Sequence, residues 1–125
     1  ITEGNEFMTL AITPTNASNI LKVDVVAQIV NSYNSGAADL IHTLFNTDIH
    51  ATNAQAVADC QQLNSSGTYS ISFTHWVVAG TVSATTFRYR GGSATAGTIT
   101  FNGRASARLY GGAMASSITI TEIQV

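Results

Sequence analysis

The sequence predicts an all-β fold, an antiparallel β-sandwich or jelly roll of about eight strands. Apolar and polar residues alternate with a period of two over most of the chain, as they do in strands that bury one face. Short Gly, Ser and Asn clusters separate these segments at regular spacing, which is typical of sandwiches and jelly rolls. Apolar residues at helical spacing are nearly absent. The sequence also has no repeat of fixed period, which a solenoid or propeller would show.

The individual strands follow from this alternation. Their predicted bounds are residues 6–13, 20–31, 37–46, 69–78, 85–90, 98–103 and 117–125. In the second strand, Lys22, Asp24 and Gln28 share one face, opposite Val23, Val25 and Ile29, so this strand should be buried mainly on one side. The spacing within 37–46 fits a strand or a helix, and its neighbours favour a strand. Residues 51–60 are rich in Ala and suggest a short helix.

Turn residues divide the second half of the chain. Gly91-Gly92 and Gly111-Gly112 are interpreted as strand-end turns that require positive φ. No linker or break in composition is visible, and 125 residues fit one domain. We therefore predict a single domain over residues 1–125. Because the chain begins at Ile1 rather than Met, we interpret it as a cut-out or processed fragment of a longer protein.

Charged residues are scarce. They make up 10% of the chain, against about 25% in an average soluble domain. One interpretation is a neutral Ser/Thr/Asn surface on a secreted or virion protein. The other is that part of the surface is buried against further subunits, because charges are depleted at interface cores. The two interpretations are compatible, and we favour both.

The same numbers exclude several classes of function. A net charge of −2 provides no general basic surface for nucleic acid. No run approaches the roughly 18 apolar residues that span a membrane, so we expect no membrane insertion. Cys60 is the single cysteine; it cannot form an internal disulfide, and we expect a small buried apolar residue there.

Three segments resemble the C-terminal head domains of bacteriophage tail fibres and tail spikes. They are TEGNEFMTLAITPTNASNILKVDVV (2–26), HWVVAGTVSATTFRYR with TITFNG (within 75–103), and RLYGGAMASSITITEI (108–123). The last is the most specific, and residues 33–64 carry much less of the likeness. The resemblance implies a jelly roll of tumour-necrosis-factor type at the tip of a homotrimeric fibre, serving trimerisation, host-surface recognition or both. It transfers no ligand-binding residue.

No catalytic or metal-binding motif is recognisable. His42, His50 and His75 lie outside any nucleophile motif, and the seven acidic residues are scattered, although a glycosidase-type carboxylate pair need not be local in sequence. His-x-x-x-His, Cys-x-x-Cys and Asp-rich loops do not occur. We therefore expect no enzyme, no cofactor and no metal, apart from a site that three copies of one histidine would build on a three-fold axis.

Trp76 departs from the alternation. It falls on the Ser/Thr side of its strand, opposite the apolar side that should pack the core. If Val77 and Phe87 flank a tight hairpin, Trp76 lies across from Arg88, where indole and guanidinium would stack. Three locations are open: a subunit interface, which we favour, a second packed layer, or a sugar-stacking site.

Glu122 ends an otherwise apolar row of the last strand. An isolated carboxylate is costly to bury, so we predict an arginine partner within the chain or across the trimer. The candidates are Arg88, Arg90, Arg104 and Arg108. Together, Trp76, Arg88 and Glu122 are the predicted interface residues.

The leading functional prediction is an extracellular, virion-borne receptor-binding tip that recognises a host-surface glycan or protein, or another outer-membrane component, as a homotrimer. Three weak sites acting together would supply affinity without a deep pocket. Because loops on a rigid sandwich tolerate variation, the candidate binding residues are Tyr33 and Asn34, followed by Tyr110. The alternative is a capping domain that nucleates the trimer and binds no ligand.

Overall fold

The computed structural model describes residues 4–33, 35–46 and 53–125. Within these ranges the chain forms ten strands and one 3-10 turn. They are β1 (Asn5–Ile12), β2 (Ile20–Asn31), β3 (Ala38–Asn46), β4 (Ala56–Gln62), β5 (Tyr69–Val78), β6 (Thr85–Ser93), β7 (Ile99–Phe101), β8 (Gly103–Arg104), β9 (Ala107–Arg108), the 3-10 turn Tyr110–Gly112, and β10 (Ser117–Ile123).

The strands form two facing antiparallel sheets. The first has the order β1-β6-β3-β4, and the second has the order β10-β2-β5, with the short β7 paired to the end of β2. β8 and β9 form a small separate hairpin. The chain is therefore all-β and consistent with an antiparallel sandwich, as the sequence predicted.

The first six strands pair in a nested order. β3 pairs with β4, β2 pairs with β5, and β1 pairs with β6. The six strands thus form one long antiparallel hairpin that consists of three nested strand pairs. This hairpin is rolled up so that β6 also pairs with β3. The rolling places β2 and β5 in one sheet and the other four strands in the facing sheet.

The core lies between the two sheets. The inward residues of β2 at positions 21, 23, 25, 27 and 29 are at most 1% exposed, and they meet Leu44, Phe87 and Tyr89 from the first sheet. Each fully buried large apolar side chain contributes about 1.5–3 kcal/mol. The alternation that predicted a one-sided β2 is thus the feature that builds the core.

A polar clamp joins the sheets at one end. The side chain of Gln62, at the end of β4, accepts a hydrogen bond from the Asn31 backbone N–H and donates one to its C=O, each 2.7 Å long. Both residues have no exposed surface. The Asn31 side chain in turn donates to the Thr95 carbonyl at 2.8 Å. The Gln62 side chain therefore satisfies the buried backbone N–H and C=O of Asn31, which lie beyond the last residue pair between β2 and β5.

Two sequence predictions of local structure are wrong. Ala56–Gln62 is the strand β4, not part of a short helix, because pairing with β3 over seven residues outweighs the weak helical preference of its alanines. Gly91 and Gly92 lie inside β6 and are buried, and neither has a positive φ. Gly111 and Gly112 do, at 62° and 88°, as predicted.

The predicted hairpin between Trp76 and Arg88 is also wrong. β5 and β6 belong to different sheets, so the segment between them crosses the sandwich. Trp76 is paired with Lys22 of β2, and Arg88 lies between Thr9 of β1 and Phe45 of β3. The Arg88 guanidinium contacts the Glu6 carboxylate at 2.9 Å instead of an indole ring.

Candidate functional site

The outward side of the β10-β2-β5 sheet, here called the outer sheet face, has an unusual composition. Its cross-strand register places the members in successive rows. They are Ile20, Lys22, Asp24, Val26 and Gln28 of β2; Ser70, Ser72, Thr74, Trp76 and Val78 of β5; and Ser117, Thr119, Thr121 and Ile123 of β10. Hydroxyl and apolar side chains dominate, and Lys22 and Asp24 carry its charges.

These two charges neutralise each other. Lys22 Nζ lies 2.8 Å from Asp24 Oδ2, and Thr74 Oγ1 donates a 2.6 Å hydrogen bond to Asp24 Oδ1. Both contacts, the Lys22 one foremost, lower the pKa of Asp24. Surface ion pairs contribute little to stability, about 0–1 kcal/mol. Their effect here is to leave the outer sheet face without net charge.

Trp76 and Val78 are the main apolar side chains on this face. Their exposed fractions are 55% and 56%, and Lys22 Nζ lies 5.8 Å from the Trp76 ring centroid. Such exposure rules out a second packed layer over Trp76 within the described chain. The interface and sugar-stacking locations both remain predictions. At the same end, Val82 and Val125 are 58% and 72% exposed.

Glu122 is held within the chain, but not by an arginine. Its Oε1 accepts hydrogen bonds from the Thr15 backbone N–H at 2.7 Å, the Thr15 hydroxyl at 2.9 Å and Asn19 Nδ2 at 2.7 Å. These donors, with Asn19 the strongest, hold its pKa below the ordinary value. The arginine expected within the chain is therefore wrong. The carboxylate serves to fix the β1–β2 turn against β10.

The opposite end of the sandwich carries Tyr110. Its ring is 74% exposed, and its φ of 53° lies in the left-handed region that non-glycine residues rarely adopt. The Arg108 guanidinium secures the turn by donating to the carbonyls of Gly112 at 3.0 Å and Met114 at 3.3 Å. Backbone held in this region is common at ligand-binding sites.

Tyr33 lies near the same end, because β2 finishes at Asn31 and Tyr33 follows it. Its backbone N–H donates to Asn31 Oδ1 at 3.0 Å, and its C=O accepts from Gln62 Nε2 at 3.4 Å. The ring is partly exposed. Asn34, the other predicted binding residue in this loop, and His50 lie outside the described residues.

Comparison with models of known protein families and with curated proteins returns no match. The candidate functions therefore rest on the chain's own geometry and on the resemblance seen in its sequence.

A buried histidine lies in the core. His42 Nδ1 is 2.7 Å from the Tyr89 hydroxyl, and His42 Nε2 is 3.9 Å from Cys60 Sγ. Burial lowers the pKa of His42 to about 4 and raises the pKa of Cys60. A nucleophilic cysteine needs the opposite shift, toward the thiolate. The cluster is thus built for packing and hydrogen bonding.

The described residues hold neither a cluster of metal ligands nor a membrane-spanning helix. In residues 4–33, 35–46 and 53–125, no three or more His, Cys, Asp or Glu side chains lie together as a metal ion would need. Across the same ranges, no helix has the length and apolar character required to cross a membrane.

Sequence reasoning missed the partners of these residues more often than the residues themselves. The Lys22–Trp76 contact and the Gln62–Asn31 clamp both depend on which strands are neighbours, which local alternation does not contain. One available signal was that Lys22 and Asp24 stand two residues apart on one strand face. That spacing places opposite charges within reach and predicts a neutral pair.

Proposed function

We propose that this chain is a non-enzymatic, trimeric head domain at the tip of a phage tail fibre or spike, located outside the cell on the virion. The outer sheet face would join the copies, and the Tyr110 end would meet the host surface. The single observation that carries this proposal is a sheet face without net charge that exposes Trp76 and Val78 by more than half.

The strand pairing supports the finer fold proposal, a jelly roll of tumour-necrosis-factor type. A jelly roll is an antiparallel hairpin of eight strands that is rolled into two sheets. The nested pairs β1–β6, β2–β5 and β3–β4, with β6 also beside β3, follow the same scheme with six strands. The chain therefore fits a jelly roll that lacks one pair of strands.

Self-association is the best use of the outer sheet face. Exposed Trp side chains are enriched at interface hot spots, and charged residues are depleted at interface cores. A partner carrying strong charge would find no complementary group here, since Lys22 and Asp24 already satisfy each other. A copy of the same chain, with equally few charges, would match the face.

The Tyr110 end supports the recognition half of the proposal. An exposed aromatic ring on a held turn offers a stacking surface to a sugar or to a protein side chain at little cost in conformational entropy. We propose a host-surface glycan or protein, or another outer-membrane component, as the ligand, with no role for nucleic acid or membrane insertion. Three copies would add their weak affinities.

The assembly half is tested by a matched pair of variants. Trp76→Ser removes the central apolar side chain of the outer sheet face, whereas Val57→Ser removes one that is 61% exposed on β4 in the other sheet. Light scattering should find a trimer for the parent and for Val57→Ser, and a dissociating particle for Trp76→Ser. Truncating a hot-spot Trp costs about 2 kcal/mol or more. Equal behaviour of the two variants would contradict the assignment of the face.

The recognition half is tested on a glycan array with the intact trimer. The parent should bind selectively, and Tyr110→Ser should lose that binding while its oligomeric state stays unchanged. A stable trimer that binds no glycan and no host-cell surface would instead favour the alternative, a capping domain without a ligand of its own.

A further inference from the structure

Among the described strands of seven or more residues, β1, β4, β5 and β10 lie at sheet edges. An edge strand presents unpaired N–H and C=O groups to any passing chain, and proteins commonly protect it with charges, bulges or short length. β1 has Glu6 and an irregular register before Met8. β4 contains Asp59 and β10 contains Glu122, and each has seven residues. β1 and β4 are therefore protected, whereas the protection of β10 is weaker because Thr15 and Asn19 already hold its Glu122 carboxylate.

β5 has none of these protections. It is ten residues long, with the sequence YSISFTHWVV, and it contains no Asp, Glu, Lys, Arg, Pro or Gly. Its register with β2 runs without a shift from Tyr69 to Val78. Among the described residues β5 pairs with β2 alone, so no strand of that part of the chain occupies its other edge. By the rules that proteins use against unwanted pairing, this edge is built to receive a strand.

The core is also less well covered along β5 than along its neighbour. All five inward residues of β5 are only partly buried. The inward residues of β2 that are their cross-strand neighbours are at most 1% exposed. The nearest strand of the other sheet, β4, offers small inward residues: Ala56, Ala58 and Cys60. A strand added beside β5 would cover this border and extend the smaller sheet.

We infer that β5 pairs, along its open edge, with β10 of a second copy of this chain. The inference rests on the proposed trimer and specifies how its copies join. A strand that pairs with its own counterpart generates a two-fold axis, so a closed three-fold assembly requires a different edge on the neighbour. The edge must therefore come from β1, β4 or β10.

β10 fits this role best. β5 and β10 are the two borders of the same sheet, so joining them around a three-fold axis closes one sheet over the three copies. The outer sheet faces then turn toward the axis, where they contact one another as the proposed trimer requires. The outward residues of β10 are Ser117, Thr119, Thr121 and Ile123, without charge. Its one carboxylate, on Glu122, is already held by Thr15 and Asn19, whereas β4 presents Asp59 outward and exposed.

Residue-resolved amide hydrogen exchange on the parent protein tests this inference. In an open edge strand, every second amide lacks a partner and exchanges fast, whereas a paired strand is protected throughout. We expect protection along the whole of β5 and β10. β1 and β4 are internal controls in the same sample, and alternate amides there should exchange at least tenfold faster.

The outcomes separate the inference from the proposed function. A trimer in which alternate β5 amides exchange as fast as those of β1 and β4 would overturn the inference and leave the trimer standing. Protection of β5 without protection of β10 would overturn the assigned partner strand. A particle of one chain would remove both proposals.

Discussion

His42 is held neutral by its surroundings. The side chain has no exposed surface, and the Tyr89 hydroxyl shares a 2.7 Å hydrogen bond with its Nδ1. Burial lowers the pKa of the imidazole to about 4, although the nearby Asp59 carboxylate opposes the shift. In the unfolded chain the same group has a pKa near 6.5. The two states therefore bind different numbers of protons at mildly acidic pH.

This difference predicts an acid-sensitive stability. Because the folded pKa is the lower one, the unfolded chain takes up the proton first, and stability is lost as pH falls from 6.5 toward 4. A shift of this size corresponds to at most roughly 3 kcal/mol. Urea unfolding at pH 7.5 and pH 5 should show the loss.

His42→Gln should flatten this pH dependence, since an amide can keep the Tyr89 hydrogen bond without titrating. His75→Gln is the matched control, because His75 is only partly buried, although burial also lowers its pKa. Equal stability of the parent at pH 7.5 and pH 5 would contradict the assignment of a neutral buried His42.

At the scale of the elements, the Gln62 clamp makes the link between β4 and β2. Gln62→Leu would leave the buried N–H and C=O of Asn31 without these partners. Each unsatisfied buried group costs about 1–3 kcal/mol. Gln61→Leu, on the exposed neighbouring position of the same strand, is the control. Urea unfolding should show Gln62→Leu destabilised by several kcal/mol and Gln61→Leu nearly unchanged; equal effects would contradict the clamp.

The strands β2 and β4 show which parts of the fold can be predicted from local sequence patterns and which cannot. The predicted bounds of β2, residues 20–31, are those found. A strand that is buried on one face has apolar and polar residues in alternation, and this pattern is visible in the sequence. β4 was missed because its inward Ala56, Ala58 and Cys60 are small residues without β-branching. Its strand state comes from pairing with β3, a tertiary effect that overrides propensity.

The contacts between side chains on different strands were harder to predict than the positions of the side chains themselves. Strand parity alone placed Trp76 on the side of its strand that faces away from the core, but the cation beside its ring is Lys22 and not Arg88. The error came from assuming that β5 and β6, adjacent in sequence, are adjacent in space. Rolling of the nested hairpin separates them into two sheets. For Glu122, an arginine partner within the chain was wrong because its donors, Thr15 and Asn19, lie about a hundred residues away in the chain. An arginine from another copy stays a prediction.

At the scale of the whole molecule, the two ends of the sandwich differ. One end gathers exposed apolar side chains, among them Trp76, Val78 and Val125. The other end holds the Tyr110 turn and the Tyr33 loop. A division of this kind suits a domain that joins copies through one region and presents another to a ligand. The proposals for assembly and recognition therefore use separate surfaces and fail separately.

We propose that the chain contains few charges because its outer sheet face contacts copies of itself. Sedimentation equilibrium of the purified chain over a wide concentration range tests this proposal. We expect a mass three times that of the chain, with Trp76 fluorescence shifted to the blue as its ring leaves water. A single-chain mass at every concentration, with Trp76 still accessible to a water-soluble quencher, would contradict it.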